Sequence, residues 1–214
     1  MRSAPPRARL LDGTRAVAAV YGASVDAGAV PLVVSSTSWT ADEDFSPLLA
    51  ALRAMDARGE ELLVVITGKG PLRSGFEEQL READLRHIGV WLAWLPYDDY
   101  PRLLGCASVG VSMHQSSSGL DLPMKVVDML AVGTPVLARR FACIGELVLD
   151  GITGLLFDDA RELEELLRKC VWGGAAARMR EQVKQRFARE EMQWQHGWER
   201  CAMPTLALGA AQRP

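Results

Sequence analysis

Cysteine and histidine are scarce and scattered in this 214-residue chain. The four cysteines, Cys106, Cys143, Cys170 and Cys201, form no CxxC pair, and the three histidines, His87, His114 and His196, are just as widely spaced. Neither set has metal-ligand spacing, which excludes a zinc-stapled fold as a reading. Reduced, mostly buried thiols in a cytosolic setting are expected. Basic charge is not in excess either. Lys plus Arg number 24 against 27 Asp plus Glu, and no basic stripe runs through the chain. That sets nucleic acid aside as a partner, so an anionic ligand must be met by locally placed groups. A long hydrophobic run is also missing. The stretch from Ala16 to Val34 is apolar but rich in Gly and Ala, and Asp26 and Pro31 interrupt it. A membrane helix needs roughly 20 strongly apolar residues, so no span is assigned.

What remains is an ordinary soluble composition, 49% hydrophobic and 24% charged, long enough to bury a sizeable core. Residues 1–30 carry Arg2, Arg7, Arg9 and Arg15 among Ala, Pro and Gly, and read as a disordered leader or a weak targeting segment. Residues 31–208 read as one domain, and 209–214 as a frayed tail. Within the domain, short apolar runs alternate with helical patterns. Strands are expected at Leu32–Val34, Leu62–Ile66, Ile88–Leu92, Val109–Met113, Pro135–Ala138 and Leu155–Phe157. Helices are expected between them, and from Arg161 to about Leu206 with a break at Gly173-Gly174. This alternation predicts an α/β fold, a doubly wound, Rossmann-like parallel sheet with helices on both faces and extra C-terminal helices.

In such sheets ligands bind beyond the carboxyl ends of the strands. Three loops at that edge hold small, polar or glycine residues and should converge: Ser35 to Thr40, Gly68-Lys69-Gly70, and His114 to Leu122. Ser36 and Thr37 in the first can donate hydrogen bonds. Gly68-Lys69-Gly70 resembles a fragment of a phosphate loop but completes neither the GxGxxG nor the GxxxxGK[ST] pattern, and a tight turn needing glycine also explains it. His114 can serve a ligand oxygen or a local carbonyl. The third loop, with Ser118, Gly119, Leu120 and Asp121, runs into a nearly apolar helix bearing only Lys125 and Asp128. A helix start behind a small, polar loop suits an anion. Lys125 can neutralise a pyrophosphate and Asp128, one turn on, can hold ribose hydroxyls. The alternative is an i,i+3 ion pair between the two. Asp42-Glu43-Asp44 reads as capping or a solvated face. Trp39, Trp91 and Trp94 pack the core or rim the site, with Trp94 the one best placed for a ligand. Trp172, Trp194 and Trp198 read as packing residues of the C-terminal helices.

Ser35 to Thr40 with Asp42-Glu43-Asp44-Phe45, then Ile66 to Leu72, then Ser116 to Met129, closely resemble the chitobiosyldiphosphodolichol β-mannosyltransferase family. Pro135-Val136, Glu146-Leu147-Val148 and Gly154-Leu155 continue the resemblance, which covers about Pro31 to Pro204. The wider GT-B glycosyltransferase superfamily shares only Pro123-x-Lys125-x-x-Asp128 and Gly133-x-Pro135-Val136. The resemblance implies transfer of mannose from GDP-mannose to a lipid-linked chitobiose acceptor, inverting to a β1,4 linkage, at the cytosolic face of the endoplasmic reticulum membrane. It implies that this chain corresponds to the C-terminal, donor-binding domain. The loop Ser118 to Leu122 would meet the diphosphate, Lys125 would assist it, and Asp128 would hold the ribose.

Three departures matter. Asp128 stands where many superfamily members carry Glu. The first loop has Ser, Thr and Trp in place of the superfamily's basic pair, so phosphate neutralisation falls on Lys125, Lys69 and the helix dipole. The chain resembles only one of two GT-B domains, so the acceptor site, membrane segment and general base are expected on an N-terminal domain or a membrane-bound partner. No catalytic residue and no metal or other cofactor is assigned. The alternative expectation is a non-catalytic nucleotide-sugar-binding subunit docking onto a separate acceptor half.

Overall fold

The computed structural model describes residues 30–115, 118, 120–189, 192 and 194–206. The leader up to residue 29, the tail 209–214, and Ser116, Ser117 and Gly119 of the third loop lie outside the described residues. Six strands form one sheet: β1 (Leu32–Ser36), β2 (Leu62–Thr67), β3 (Ile88–Ala93), β4 (Val109–Ser112), β5 (Val136–Arg139) and β6 (Gly154–Phe157). All neighbours pair in parallel, in the order β3-β2-β1-β4-β5-β6. The connecting helices are α1 (Ser46–Asp56), α2 (Arg73–Ala83), α3 (Asp99–Cys106) and α4 (Met124–Ala131). A 3-10 turn, Ile144–Glu146, joins β5 to β6, and α5 (Ala160–Val171) and α6 (Ala175–Phe187) follow. Ser35 and Ser36, expected in the first loop, finish β1, where the Ser35 hydroxyl donates to the Val111 carbonyl at 2.8 Å.

Strand side chains alternate between the two faces, and each face has its own core. Val33, Val64 and Val111 meet Leu52 of α1, Phe76 of α2 and Leu167 of α5. Val34, Val65 and Val136 meet Leu104 of α3 and Val126 and Met129 of α4. Chain progression outward from β1 thus keeps α1 and α2 on one face. The crossover α3, from β3 to β4, puts the return on the other. The topological switch point lies between β1 and β4, where the flanking loops separate and leave a crevice. The α4 helix sits close to β4 because position 110 is glycine. A Cβ there would lie 2.4 Å from Met129 Sδ. Gly174 starts α6 in a left-handed conformation (φ 72°), the expected break.

Two expectations need correction. Cys143 and Cys170 are buried but Cys106 and Cys201 are exposed; the latter two fall at the end of α3 and in the C-terminal helical segment, away from both cores. The C-terminal tryptophans are not packing residues. Trp172, Trp194 and Trp198 are exposed, and the last two stack on each other at 5.4 Å. Their helical segment, 194–206, has no buried residue.

Candidate functional site

The switch point opens into a cavity of about 330 Å³ whose wall includes Ser36, Thr37, Thr67, Gly68, Trp94 and Lys125. The loops after β1, β2 and β3 and the first turn of the helix Met124–Ala131 therefore contribute to this edge.

The first loop lies against the second. Gly68 has φ +148°, and a Cβ there would stand 1.8 Å from the Thr37 carbonyl oxygen; at Gly70 it would stand 1.8 Å from that of Ser38. Backbone contact thus requires both glycines of the second loop. Lys69 projects outward, its Nζ 4.4 Å from the centre of the Trp94 ring. Trp94 follows β3 and is half exposed. Trp39 is core: its ring packs against Phe45 and Phe76 at 5.0 and 5.3 Å.

At the other side of the crevice, α4 starts after Pro123 with no side-chain cap. Its first-turn N–H groups carry the positive end of the helix dipole. Lys125 and Asp128 do not pair with each other. Lys125 Nζ donates to Glu43 Oε1 at 2.8 Å, and Asp128 Oδ2 accepts from the Tyr100 hydroxyl at 3.2 Å. The i,i+3 ion pair is displaced because each group meets a partner from another part of the chain, Glu43 in the first loop and Tyr100 in a neighbouring helix.

Asp42-Glu43-Asp44, by sequence a capping group or a solvated face, divides in the structure. Asp42 and Asp44 are exposed, and Asp44 receives the Ser46 N–H at 2.9 Å, as a capping group would. Glu43 is different. Its side chain is 2% exposed. Its Oε2 accepts from Thr37 Oγ1 at 2.7 Å and from the Ser38 N–H at 2.8 Å. Its backbone bridges to His114 at the end of β4. A carboxylate beside a Ser/Thr loop at the binding edge was the available signal. Tyr100, near the start of α3, was also missed. Its hydroxyl lies 3.1 Å from Ser36 Oγ. Burial, with the Asp128 charge beside it and against the Ser36 contact, pushes the phenol up to about 12.

His114 is not part of the cavity wall; its Nε2 lies 2.8 Å from Asp121 Oδ2 and its ring stands edge-on to Phe141. Ser118 Oγ accepts from the Leu120 N–H at 3.3 Å, and Leu120 and Asp121 are exposed. Ser36, Thr37, Gly68 and Lys125 line the crevice, while Lys69 and Asp128 reach it through the wall residues Trp94 and Tyr100. His114, Ser118, Leu120, Asp121 and Gly70 stand beside it. Among the described residues, no group of three or more His, Cys, Asp or Glu is arranged to hold a metal ion. None of the described helices is long and apolar enough to cross a membrane.

The family model for glycosyl transferases group 1 matches residues 30–172. The chain is 43% identical over 188 residues to the mouse (Mus musculus) chitobiosyldiphosphodolichol beta-mannosyltransferase, an alignment covering 84% of this chain and 39% of that protein. It is 42% identical over 203 residues to the UDP-glycosyltransferase TURAN of Arabidopsis thaliana, covering 85% of this chain and 44% of that one. The chain thus spans about two fifths of the length of the curated relatives it matches. Among solved structures it resembles sucrose-phosphate synthase from Thermosynechococcus elongatus, with a TM-score of 0.68 at 18% identity over 98% of this chain and 52% of that chain. It also resembles Anabaena Alr3699/HepE in complex with UDP and glucose, with a TM-score of 0.66 at 16% identity over 95% of this chain and 54% of that chain. These likenesses concern the fold. The chain belongs to the glycosyl transferases group 1 family.

Proposed function

We propose that this chain is the donor-binding half of a mannosyltransferase that moves mannose from GDP-mannose onto a lipid-linked chitobiose, forming a β1,4 linkage at the cytosolic face of the endoplasmic reticulum membrane. The observation that carries this reading is the placement of Lys125 and Asp128. They stand one turn apart on α4 at the switch-point crevice, and neither is consumed by the other. That spacing suits a phosphate and a ribose of one nucleotide. The high identity to proteins named as β-mannosyltransferases supports the sugar and the acceptor class.

The chemistry follows from charge. When the bond between the sugar and the diphosphate breaks, negative charge builds on the departing phosphate. The uncapped N-terminus of α4 and the Lys125 amine lie where they can meet it, and such preorganised donors act most strongly in a site shielded from water. This reading needs no metal or other cofactor. Asp128 accepts the ribose hydroxyls, and the Trp94 face offers a stacking surface to the base. Ser36, Thr37 and the Gly68-Lys69-Gly70 turn line or border the sugar-nucleotide path. Ser118, Leu120 and Asp121 border the diphosphate. We assign no group of this chain to deprotonating the acceptor; an N-terminal GT-B domain or a membrane-bound partner supplies it.

Calorimetric titration of the purified chain with GDP-mannose, with UDP-glucose as control, tests the reading. Selective binding, at roughly 0.1–1 mM or tighter, supports it. A folded chain that binds neither, or prefers the uridine donor, overturns it.

A second reading, a nucleotide-sugar-binding subunit, is favoured by the exposed apolar side chains at the same edge: Leu72, Trp94, Tyr97, Leu120 and Met124. They follow β2, β3 and β4, and Trp94 and Tyr97 line the crevice, where a docking half would cover them. Mannose transfer by the chain alone would sink this reading. Transfer only on coexpression with a membrane-bound acceptor half would favour it.

A further inference from the structure

We infer that Glu43 is a built-in counter-anion for Lys125, holding the lysine amine before the donor arrives and loosening the crevice's grip on the nucleoside diphosphate after transfer. This rests on the donor-binding reading above.

The geometry assigns the two oxygens of Glu43 to different tasks. Oε2 is claimed by the first loop, through Thr37 Oγ1 and the Ser38 N–H. Thr37 Oγ1 in turn accepts from the Trp39 N–H at 2.8 Å, so the turn is closed around the carboxylate. Oε1 is left for Lys125 Nζ at 2.8 Å. The acid is held from behind as well. Glu43 bridges to His114, and the Gln115 N–H donates to the Asp42 carbonyl at 2.8 Å. The acid is therefore pinned between the loops after β1 and β4, across the switch point.

The two partners differ in exposure. The Glu43 side chain is 2% exposed and the Lys125 side chain 26%. Lys125 is on the cavity wall and Glu43 is not. A diphosphate entering the crevice thus meets the amine, with the carboxylate behind it. An ammonium has three donors, and Glu43 takes one of them. The carboxylate orients the amine while offsetting part of its charge. A free lysine at this point would hold both donor and product more tightly. An enzyme must release its nucleoside diphosphate at each turnover, and uniform tight binding does not speed the chemistry. A buried counter-anion moderates that hold without entering the crevice.

Glu43→Gln separates this role from a structural one. The single carbonyl oxygen of Gln is drawn to the Thr37 and Ser38 donors, which keeps the turn. The amide NH2 then faces Lys125 and cannot accept from it, so the amine is released toward the crevice. Calorimetry on the full chain is expected to show GDP bound roughly fivefold more tightly by Glu43→Gln, the scale of a partly exposed charge effect. The gain is expected to shrink at high salt. Guanosine, lacking the diphosphate, is expected to bind both proteins alike. In a Lys125→Met background the substitution is expected to leave GDP affinity unchanged.

Equal or weaker GDP binding by a folded Glu43→Gln overturns the inference, and so does a gain that persists without Lys125. A second measurement uses the unmutated chain. The Glu43 side-chain 13Cδ resonance should move on saturation with GDP and stay put with guanosine. A resonance indifferent to GDP overturns the inference alone. Wild-type chain that binds no GDP removes the donor-binding reading and this inference together.

Discussion

The Tyr100 hydroxyl lies 3.2 Å from Asp128 Oδ2, so a phenol from α3 is tied to a carboxylate from α4 above the crevice. The phenol also touches Ser36 Oγ at 3.1 Å, at the end of β1. Three elements thus orient the group assigned to the ribose. Asp128→Asn keeps the size but leaves a poorer acceptor. It is expected to weaken GDP-mannose binding by about 1–2 kcal/mol. The loss should vanish against a guanine nucleotide whose ribose lacks both hydroxyls. Calorimetry with the two ligands checks this, and an equal loss with both would remove Asp128 from the ribose.

Tyr100 sets a pH dependence of the fold. Its phenol titrates at about 12 when folded, from burial and the Asp128 charge, against 10.0 ordinarily. Between those values the unfolded chain gives up the proton first, so it binds fewer protons than the folded chain. Stability therefore falls as pH rises above the ordinary tyrosine range. The effect is damped because the side chain is only half-buried. Tyr100→Phe is expected to flatten the alkaline fall in melting temperature, and thermal melts from pH 8 to pH 11 would detect it.

Lys125→Ala removes both the charge at the diphosphate and the partner of Glu43. GDP-mannose affinity is expected to fall by about 1.5–3 kcal/mol, the scale of a charge-assisted hydrogen bond. The melting temperature is also expected to fall, because a buried carboxylate loses its counter-charge. Titration of a variant shown to be folded by circular dichroism separates the two effects. Unchanged affinity would take Lys125 out of the site.

Gly68→Ala tests the contact between the first two loops. The added methyl would sit 1.8 Å from the Thr37 carbonyl oxygen, in a backbone conformation with φ +148°. The loop must move away, at an expected cost above about 2 kcal/mol in unfolding free energy. Denaturant titration reads the cost, and donor binding should fall with it because Thr37 shares the cavity wall.

Much of this architecture is legible along the chain. Runs such as Leu62 to Ile66 and Val109 to Val111 are continuously apolar because their strands are covered on both faces, and that pattern depends on local composition alone. Gly173-Gly174 marks the break before α6 for a similar reason, since the left-handed start at Gly174 suits a residue without Cβ. The spacing of Lys125 and Asp128 is equally local. Residues three apart on a helix share a face wherever that helix lies.

Partners drawn from distant segments are another matter. Glu43 lies in an acidic run indistinguishable in composition from a solvated surface, and its burial depends on β1 and β4 being neighbours. Tyr100 looks like any helix-start aromatic until the crossover α3 brings it over Asp128. The stacked Trp194 and Trp198 look like core residues until the helix carrying them is found with no buried side chain. Local composition and helical period determine strands, turns and which charges share a face. Which charge meets which, and which aromatic is covered, depends on contacts between residues tens of positions apart, and those exist only once the sheet order is set.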